Sequence, residues 1–304
     1  MPKDKNSNGK ESKSQPYGFP QGTYLERTSR PLYALVFLLP FLVFYEFGTI
    51  LLSNESLLQD QRRVVSFVWL QNFTEYLGFS SRAAFIITPL IVVIILLVLQ
   101  ITSRKKWKVR FGDLPPMLVE CLLLSLPLIF LNFLLNRPVP PADTTTARNS
   151  AVVCSQPVQY LESNTETTSA EPASQNSLSS DIVTAVGAGI YEELVFRLIL
   201  ICLLMLFFQD ILGFSRHNSI ILSVVIAAAL FSAHHHIIYI NGQLCRVTAF
   251  TWPQFIFRTM AGIYFAILFA VRGFGITAGT HAFYNIVAAV VNLAVVTAPN
   301  SSLN

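Results

Sequence analysis

The sequence predicts an all-α protein, a polytopic bundle of about seven transmembrane helices. Of its 304 residues, 53% are hydrophobic and only 12% are charged, which is about half the charged fraction of a soluble domain. In addition, long apolar runs recur along the chain, with the length that a helix needs to cross a bilayer. The composition therefore argues against a soluble protein.

Seven stretches have the length and hydrophobicity of membrane-spanning helices. They cover residues 32–52, 83–101, 116–135, 181–208, 219–239, 253–271 and 274–296. Between the first two spans, residues 61–79 alternate charged residues with Val, Phe, Trp and Leu. This alternation is typical of an amphipathic helix lying on the membrane surface.

Polar stretches divide the chain into five regions. Residues 1–30 are polar and rich in lysine, and we expect a disordered cytoplasmic tail without a cleaved signal peptide. The N-terminal transmembrane helices occupy residues 31–135, and a flexible polar loop follows over residues 136–180. The C-terminal helices fill residues 181–297, and residues 298–304 form a short tail.

Lysine and arginine are distributed unevenly between the connecting segments. With the N-terminus inside, 13 of the 21 basic residues lie on the cytoplasmic side and 6 lie outside, which is the bias that cytoplasmic loops show. We therefore predict a cytoplasmic N-terminus. The net charge of +4 is interpreted as a topology signal, and no nucleic-acid partner is expected.

The four cysteines give little information about function. Cys121 and Cys202 lie in predicted spans, where a buried free thiol is the simplest interpretation. Cys154 and Cys245 both fall in loops predicted to lie outside. The sequence leaves open whether these two form a disulfide, because it does not fix their separation.

Three of the C-terminal spans carry polar side chains at membrane depth, where a charge costs about 2.5–3.5 kcal/mol at the bilayer centre. The fourth span contains the run GIYEELVFR, the fifth contains FSAHHH, and the seventh contains GTHAFYN. Elsewhere we find single charges, Arg258 and Glu120, and assign them no role. Glu192 is the residue that is hardest to explain without a function, because an unpaired carboxylate at this depth is costly.

Helical spacing indicates how these side chains are directed. Glu193 and Arg197 are one turn apart and can form an ion pair, whereas Glu192 is rotated by about 100° and can face the bundle interior. His281 and Asn285 are also four residues apart and share a face. The three helices can thus direct a carboxylate, an imidazole and an imidazole–amide pair into one cavity.

The run of three histidines offers more than one candidate imidazole. His235 is four residues after Phe231, one helical turn away. We expect His234 and His236 to be solvated or interfacial, because they lie near the outer end of the predicted fifth span.

Taken in order, Glu-Glu-x-x-x-Arg, Phe-x-x-x-His and His-x-x-x-Asn on successive membrane helices resemble the motifs of the CPBP family of intramembrane proteases. That family includes the type II CAAX prenyl endopeptidases and the abortive-infection homologues. The resemblance covers residues 181–296, and it identifies residues 181–297 as a CPBP-type protease core. The Phe-x-x-x-His spacing selects His235. Leu198 departs from the pattern, since many members have glycine at this point.

The resemblance implies an enzyme, an intramembrane endopeptidase that hydrolyses a peptide bond within or near the membrane. It makes Glu192 the general base, which activates water together with His235. It also makes His281 and Asn285 the donors that stabilise the oxyanion of the tetrahedral intermediate. Partners implied in this way are membrane lipid and a peptide or membrane-protein substrate.

The resemblance further implies that Glu193 and Arg197 orient and charge-balance the first carboxylate, although a purely structural ion pair stays open. No cofactor is required for hydrolysis of this glutamate type. The alternative is a divalent metal such as zinc, held by Glu192, His235 and His281, which meets the ligand count of a catalytic zinc site. The sequence contains no His-Glu-x-x-His motif.

Two other classes of protein compete with the protease. One is a non-catalytic membrane scaffold or bacteriocin-immunity protein of the same family. The other is a proton-coupled transporter, which we would expect to show repeat symmetry between its halves. The preferred setting is the bacterial plasma membrane. The sequence does not identify the substrate or say whether it is prenylated.

Overall fold

The computed structural model describes residues 19–20, 22–53, 64–135, 153–154, 176–240, 243–246 and 251–297. Within this part of the chain, seven helices are long and apolar enough to cross a membrane, which confirms the predicted helical transmembrane bundle. Many large apolar side chains point outwards, Phe130 and Ile211 among them, while Ser125, Thr88 and Gln100 are buried inside. This is the distribution expected of a protein whose solvent is lipid.

The helices follow one another along the chain with short π-helical segments after the sixth and seventh. The helices are α1 (Tyr24–Thr28), α2 (Pro31–Ser53), α3 (Val65–Tyr76), α4 (Ser81–Ser103), α5 (Leu114–Leu135), α6 (Asn176–Glu193), α7 (Ile201–Leu206), α8 (Arg216–His234), α9 (Trp252–Arg272) and α10 (Phe274–Thr297). A 3-10 turn precedes α5 at Phe111–Asp113, and the π-helical segments are Leu194–Leu200 and Phe207–Ile211. The strands are β1 (Val153–Cys154), β2 (Ile237–Ile240) and β3 (Gln243–Arg246).

Helix α10 lies at the centre of the bundle and packs against α6, α5, α2 and α9. Small residues allow this close approach. A Cβ added to Gly189 in α6 would lie 2.6 Å from the backbone nitrogen of Ala282 in α10. A Cβ added to Gly275 would lie 2.8 Å from the Cα of Ala34 in α2. The backbone of α10 is therefore held directly against the carboxylate-bearing helix and against the first span.

The prediction of a disordered tail over residues 1–30 is wrong for the last part of that range. Its last part forms α1, and Arg27 donates to Asp113 of the α5 region over 2.9 Å. Arg272 at the end of α9 donates to Thr28 over 2.9 Å and to Glu120 over 2.7 Å. These contacts fix α1 across the ends of α5 and α9, whereas residues 1–18 lie outside the described part.

The amphipathic helix predicted over residues 61–79 corresponds to α3. Its buried residues include Phe67 and Leu70, and the helix packs against α4 and α6. Residues 61–63 lie outside the described part of the chain, and an orientation of α3 along the membrane surface stays a prediction.

The predicted end of the fifth span is wrong. Helix α8 ends at His234, and the prediction continued to residue 239 because the following residues are apolar. Residues 237–240 instead form β2, which pairs antiparallel with β3. Runs of isoleucine and tyrosine fit a strand as well as a helix, so hydrophobicity alone could not locate this boundary.

The three strands form an antiparallel sheet in the order β1-β3-β2. The register places Cys154 opposite Cys245, and the question of a disulfide between them, which the sequence left open, stays open. The predicted loop over residues 136–180 lies mostly outside the described part of the chain. Its last residues are helical, because α6 begins at Asn176. The first turn of α6 is polar, so a prediction based on hydrophobicity places the start of the helix too late.

Candidate active site

The two adjacent carboxylates end helix α6. Glu192 and Glu193 are both buried, and the chain continues directly into the π-helical segment Leu194–Leu200. Such wider turns within helices concentrate at functional sites. Here the wider turn begins at the residue after the carboxylates and carries Arg197, whose side chain is also buried.

Glu193 connects two charged or ionisable partners. Its Oε1 lies 3.1 Å from Nη1 of Arg197, which is the ion pair that the four-residue spacing predicts. The same Oε1 lies 2.7 Å from Nδ1 of His281 on α10. The resemblance implies that Glu193 and Arg197 orient and charge-balance Glu192, and that role stays a prediction.

Arg197 is held by aromatic rings as well as by Glu193. Its guanidinium carbon lies 4.1 Å from the centroid of the Phe231 ring and 5.3 Å from that of Phe265. A guanidinium over the face of a ring is stabilised by the ring quadrupole, and more strongly where water is excluded. Arg197 therefore links the segment after α6 to both α8 and α9.

The end of α8 positions two imidazoles. The carbonyl oxygen of Phe231 accepts hydrogen bonds from Nδ1 of His234 over 2.5 Å and from Nδ1 of His235 over 2.8 Å. Carbonyl groups in the last turn of a helix lack backbone partners, and these two side chains satisfy one of them. Both rings are consequently fixed with Nε2 turned towards Glu192.

Three imidazoles surround the carboxylate of Glu192. Nε2 of His234 lies 3.5 Å from Oε1, while Nε2 of His235 lies 3.9 Å and Nε2 of His281 lies 3.7 Å from Oε2. The structure thus brings together Glu192, His235 and His281, three of the residues predicted from the sequence. It adds His234, which the sequence analysis did not include.

The prediction that His234 and His236 are solvated or interfacial is wrong. Their exposed fractions are 5% and 7%. The ring of His234 packs against Phe196 and against Trp69 of α3, with centroid separations of 4.7 and 5.9 Å. The sequence indicates that α3 is amphipathic, but it does not indicate that Trp69 covers the end of α8.

Asn285 lies one helical turn after His281 on α10 and is half-buried. In the described part of the chain its side-chain amide makes no hydrogen bond. Its position on the same helix face as His281 is the one that the spacing predicts. No contact in the described part of the chain joins this amide to the group around Glu192, so its role in the site stays a prediction.

One intramembrane carboxylate escaped the sequence analysis. Glu46 of α2 accepts a hydrogen bond from the hydroxyl of Tyr191 over 2.9 Å. Tyr191 directly precedes Glu192, and its ring packs against Phe67 and Tyr45 at centroid separations of 5.0 and 5.5 Å. A glutamate in an otherwise apolar first span was the available signal, and it was overlooked because no motif accompanies it.

Glu192, His234 and His235 also have the geometry of a metal-binding group. One ligand atom from each lies within 4.8 Å of the other two, and this group was found in the described part of the chain. Oε2 of Glu192 is buried and has no hydrogen-bond partner among the described residues. His281, which the sequence included in its alternative metal set, does not belong to this group.

Residues 174–287 match the family model described as Type II CAAX prenyl endopeptidase Rce1-like. The chain therefore contains an Rce1-like domain. The match covers α6 to most of α10 and confirms the family resemblance for this part of the chain. Comparison with curated proteins and with solved structures finds no match.

The Rce1-like domain contains all six residues that the sequence predicted for the site. Helices outside the domain complete their surroundings, since Glu46 of α2 bonds Tyr191 and Trp69 of α3 packs on His234. The membrane-capable helices indicate an integral membrane protein, and residues 174–287 form its domain of the CAAX protease type.

Proposed function

We propose that this protein is an intramembrane endopeptidase that hydrolyses peptide bonds with water activated at Glu192. One observation carries the proposal. Within the Rce1-like domain, a buried carboxylate is surrounded by three imidazoles at 3.5–3.9 Å. Burial of such a group without a function is costly, and general-base catalysis is the chemistry that this arrangement serves.

The hydrogen bond at Phe231 determines the tautomer of His235. A carbonyl oxygen only accepts, so Nδ1 of His235 carries the proton and Nε2 of the neutral ring has a lone pair. Oε2 of Glu192 is likewise an acceptor, at 3.9 Å from this Nε2. A water molecule that donates one hydrogen to each of the two keeps a lone pair for attack on a carbonyl carbon.

Proton transfer then follows from the same geometry. As the water oxygen forms a bond to the scissile carbon, its proton passes to Glu192. The glutamic acid returns this proton to the nitrogen of the leaving amine when the tetrahedral intermediate breaks down. His235 has an exposed side-chain fraction of 27%, so its side of the site is the one open to an entering peptide.

His281 and Asn285 are the proposed donors to the oxyanion. Nδ1 of His281 is bonded to the carboxylate of Glu193, so its Nε2 can donate only when the ring carries a second proton. The amide of Asn285 supplies a neutral donor. Each prepositioned donor of this kind contributes about 3 kcal/mol to catalysis in a dry site.

Hydrolysis by this route needs no cofactor. A divalent cation such as zinc, when bound, would be held by the carboxylate and imidazoles around Glu192 and would polarise the attacking water. The proposed substrates are peptides or membrane-protein segments, reached through the surrounding lipid. The proposed setting is the bacterial plasma membrane. The distribution of basic residues supports a cytoplasmic N-terminus.

Cleavage by the purified protein tests the proposal. The wild-type chain in detergent should hydrolyse a panel of unmodified and prenylated peptides, and Glu192→Gln should abolish the activity while the melting temperature is retained. Glu75→Gln on α3 is the matched control, because among the described residues the Glu75 carboxylate accepts a side-chain hydrogen bond only from Gln71, one turn away. Activity that survives in Glu192→Gln contradicts the proposal. A cellular phenotype that survives in Glu192→Gln, without peptide cleavage by the wild type, identifies a non-catalytic scaffold.

A further inference from the structure

We infer that the protein binds one anionic phospholipid at the membrane surface where α4 ends and α5 begins. The headgroup lies on the basic loop, residues 104–110, and one acyl chain lies in an apolar groove along the start of α5. The residues that form this lipid site are different from those around Glu192. Lipid binding is therefore measured without reference to peptide hydrolysis.

The basic loop carries more positive charge than the protein itself balances. Its sequence, RKKWKVR, contains five basic residues, and all of its side chains except Val109 are exposed. Within the described part of the chain, Lys105 is the one of these five that forms an ion pair, at 3.8 Å from Glu26. Basic clusters of this size at the end of a membrane span attract anionic lipid headgroups.

The two acidic residues beside the basic loop already have guanidinium partners. Glu26 is bonded to Arg30 over 2.6 Å. Asp113 accepts two hydrogen bonds from Arg27, over 2.9 and 3.0 Å. Because both carboxylates are engaged in this way, the charge of the basic loop is left for an external anion.

The backbone of the basic loop is fixed to the start of α2. The side chain of Gln100 donates to the carbonyl oxygen of Lys105 over 3.0 Å and accepts from the backbone N–H of Leu32 over 3.1 Å. The backbone N–H of Arg110 donates to the hydroxyl of Tyr33 over 2.9 Å. A ligand that binds a loop already held at both ends pays a smaller entropic cost.

Exposed aromatic rings place the basic loop at the lipid interface. Trp107 lies within the loop and Phe111 directly follows it, with exposed fractions of 57% and 73%. The loop connects two membrane-capable helices, since α4 ends at Ser103 and α5 begins at Leu114. Tryptophan is enriched at the boundary between headgroups and acyl chains. Lysines on either side of such a ring are in the position to contact lipid phosphates.

An apolar groove of about 660 Å³ begins at the first turn of α5, immediately after the basic loop. Its walls include Tyr24 of α1 together with Pro115, Val119 and Leu124 of α5. Residues 115 and 124 are about 14 Å apart along the helix axis. The hydrocarbon of one leaflet is about 15 Å thick. The length and chemistry of the groove therefore suit one acyl chain.

The carboxylate in this groove does not oppose an anionic lipid. Glu120 accepts hydrogen bonds from the hydroxyl of Tyr24 over 2.8 Å and from Arg272 over 2.7 Å, so its charge is balanced. Tyr24 precedes Arg27 by one turn of α1, and Arg27 is bonded to Asp113 at the end of the basic loop. Helix α1 thus joins the groove to the loop.

Native mass spectrometry of the full-length protein in detergent tests the inference, with phosphatidylglycerol and phosphatidylcholine of identical acyl chains as probes. The wild type should bind one phosphatidylglycerol more tightly than phosphatidylcholine, and added salt should reduce this difference. Lys108→Gln should weaken phosphatidylglycerol binding alone, by about fivefold, which is the factor that one basic residue contributes near an anionic lipid surface. Arg82→Gln is the matched control, because Arg82 is exposed at the opposite end of α4, and it should bind as the wild type does.

The groove is tested by a second pair of variants. Leu123→Trp should weaken the binding of both lipids, because Leu123 lines the groove and the larger ring occupies it. Leu122→Trp is its control, since Leu122 is exposed but does not line the groove, and its affinities should be those of the wild type. Inorganic phosphate should not displace the lipid.

Equal affinity of the wild type for the two lipids overturns the inference, and so do equal losses in Lys108→Gln and Arg82→Gln. If inorganic phosphate displaces the lipid and Leu123→Trp binds as the wild type does, the basic loop is a site for free anions and the lipid site is overturned. Melting temperatures show whether each variant folds. If Leu123→Trp does not fold, Lys108→Gln and the salt dependence of the wild type decide.

Discussion

Nδ1 of His281 lies 2.7 Å from Oε1 of Glu193, so the second carboxylate of the pair holds the imidazole of α10. Adjacent glutamates therefore serve two different groups. Glu192 faces the three Nε2 atoms, while Glu193 is paired with Arg197 and orients His281. Neighbouring residues on a helix are about 100° apart, which is why one carboxylate can face the cavity and the next can face a neighbouring helix.

Replacement of Glu193 by glutamine should impair catalysis more than binding. The amide can still accept a hydrogen bond from His281, but a bond to a neutral acceptor is weaker than one to a carboxylate and positions the ring less firmly. We expect kcat for peptide hydrolysis to fall by about 100-fold, with little change in KM. Steady-state kinetics in detergent provide the measurement.

The control for Glu193→Gln is a measurement of stability, because Glu193 also pairs with the buried Arg197. If the variant melts well below the wild type, its loss of activity is caused by a loss of folding. If kcat is unchanged in a folded Glu193→Gln protein, the charge-assisted hydrogen bond between Glu193 and His281 does not contribute to catalysis.

Replacement of Tyr191 by phenylalanine tests the contact between the first span and the site. The change removes the hydroxyl that donates to Glu46 over 2.9 Å but keeps the ring that packs on Phe67 and Tyr45. A hydrogen bond to a charged group contributes about 1.5–3 kcal/mol, and Glu46 is half-buried. We expect a lower melting temperature in detergent and a smaller loss of activity than in Glu192→Gln.

The matched comparison for Tyr191→Phe is the double variant with Glu46→Gln. If the two residues act through their shared hydrogen bond, the second change should cost less in the background of the first. Fully additive losses of stability would contradict this coupling.

Much of the helical architecture could be predicted from the sequence, because hydrophobicity and helix length determine which stretches cross a membrane. The spacing of four residues also predicted the pair Glu193–Arg197. The end of α8 could not be predicted in this way. Its apolar continuation, Ile237–Ile240, is a strand, and the choice depends on pairing with Gln243–Arg246 rather than on local propensity.

The surroundings of the site were harder to predict, because they depend on contacts between distant parts of the chain. Trp69 lies in a separate helix 165 residues before His234 in sequence, yet it covers that histidine. The hydrogen bond between Glu46 and Tyr191 likewise joins α2 to α6. A sequence pattern shows which residues share one face of a helix. It does not specify which other helix packs against that face.

Protonation of Glu26 in the N-terminal helix α1 should lower the stability of the folded protein at acid pH. Arg30 donates to Glu26 over 2.6 Å, and this guanidinium lowers the pKa of the Glu26 carboxyl below its ordinary value of 4.5. A carboxyl group whose pKa is lower in the folded state than in the unfolded state stabilises the folded protein. This stabilisation is fully present when the pH is above the pKa of the unfolded state, and it is lost as the pH falls through the pKa of the folded state. We expect the contribution of Glu26 to be constant above about pH 5 and to disappear at lower pH.

Melting temperatures of the wild type and of Glu26→Gln, measured from pH 7 to pH 3, provide the test for α1. The difference between the two proteins should shrink as the pH falls. A difference that is the same at both ends of this range would show that the charge of Glu26 does not contribute.

Replacement of Gly189 by alanine should separate the two helices that carry Glu192 and His281. The added Cβ would lie 2.6 Å from the backbone nitrogen of Ala282 and 2.8 Å from the carbonyl oxygen of Ala278, and backbone atoms cannot rotate away. Overpacking of this kind costs about 1–3 kcal/mol. Gly112→Ala is the matched control, because nothing lies within 4 Å of a Cβ at that position.

We expect Gly189→Ala to lower both the melting temperature and kcat, and Gly112→Ala to leave both unchanged. The reason for the catalytic loss is geometric, since Nε2 of His281 lies 3.7 Å from Oε2 of Glu192 and a shift of about 1 Å between helices breaks such an arrangement. A Gly189→Ala protein that melts and cleaves peptide like the wild type would contradict the close approach of α6 and α10. In that case Glu192 and His281 would no longer be expected to act on the same substrate carbonyl.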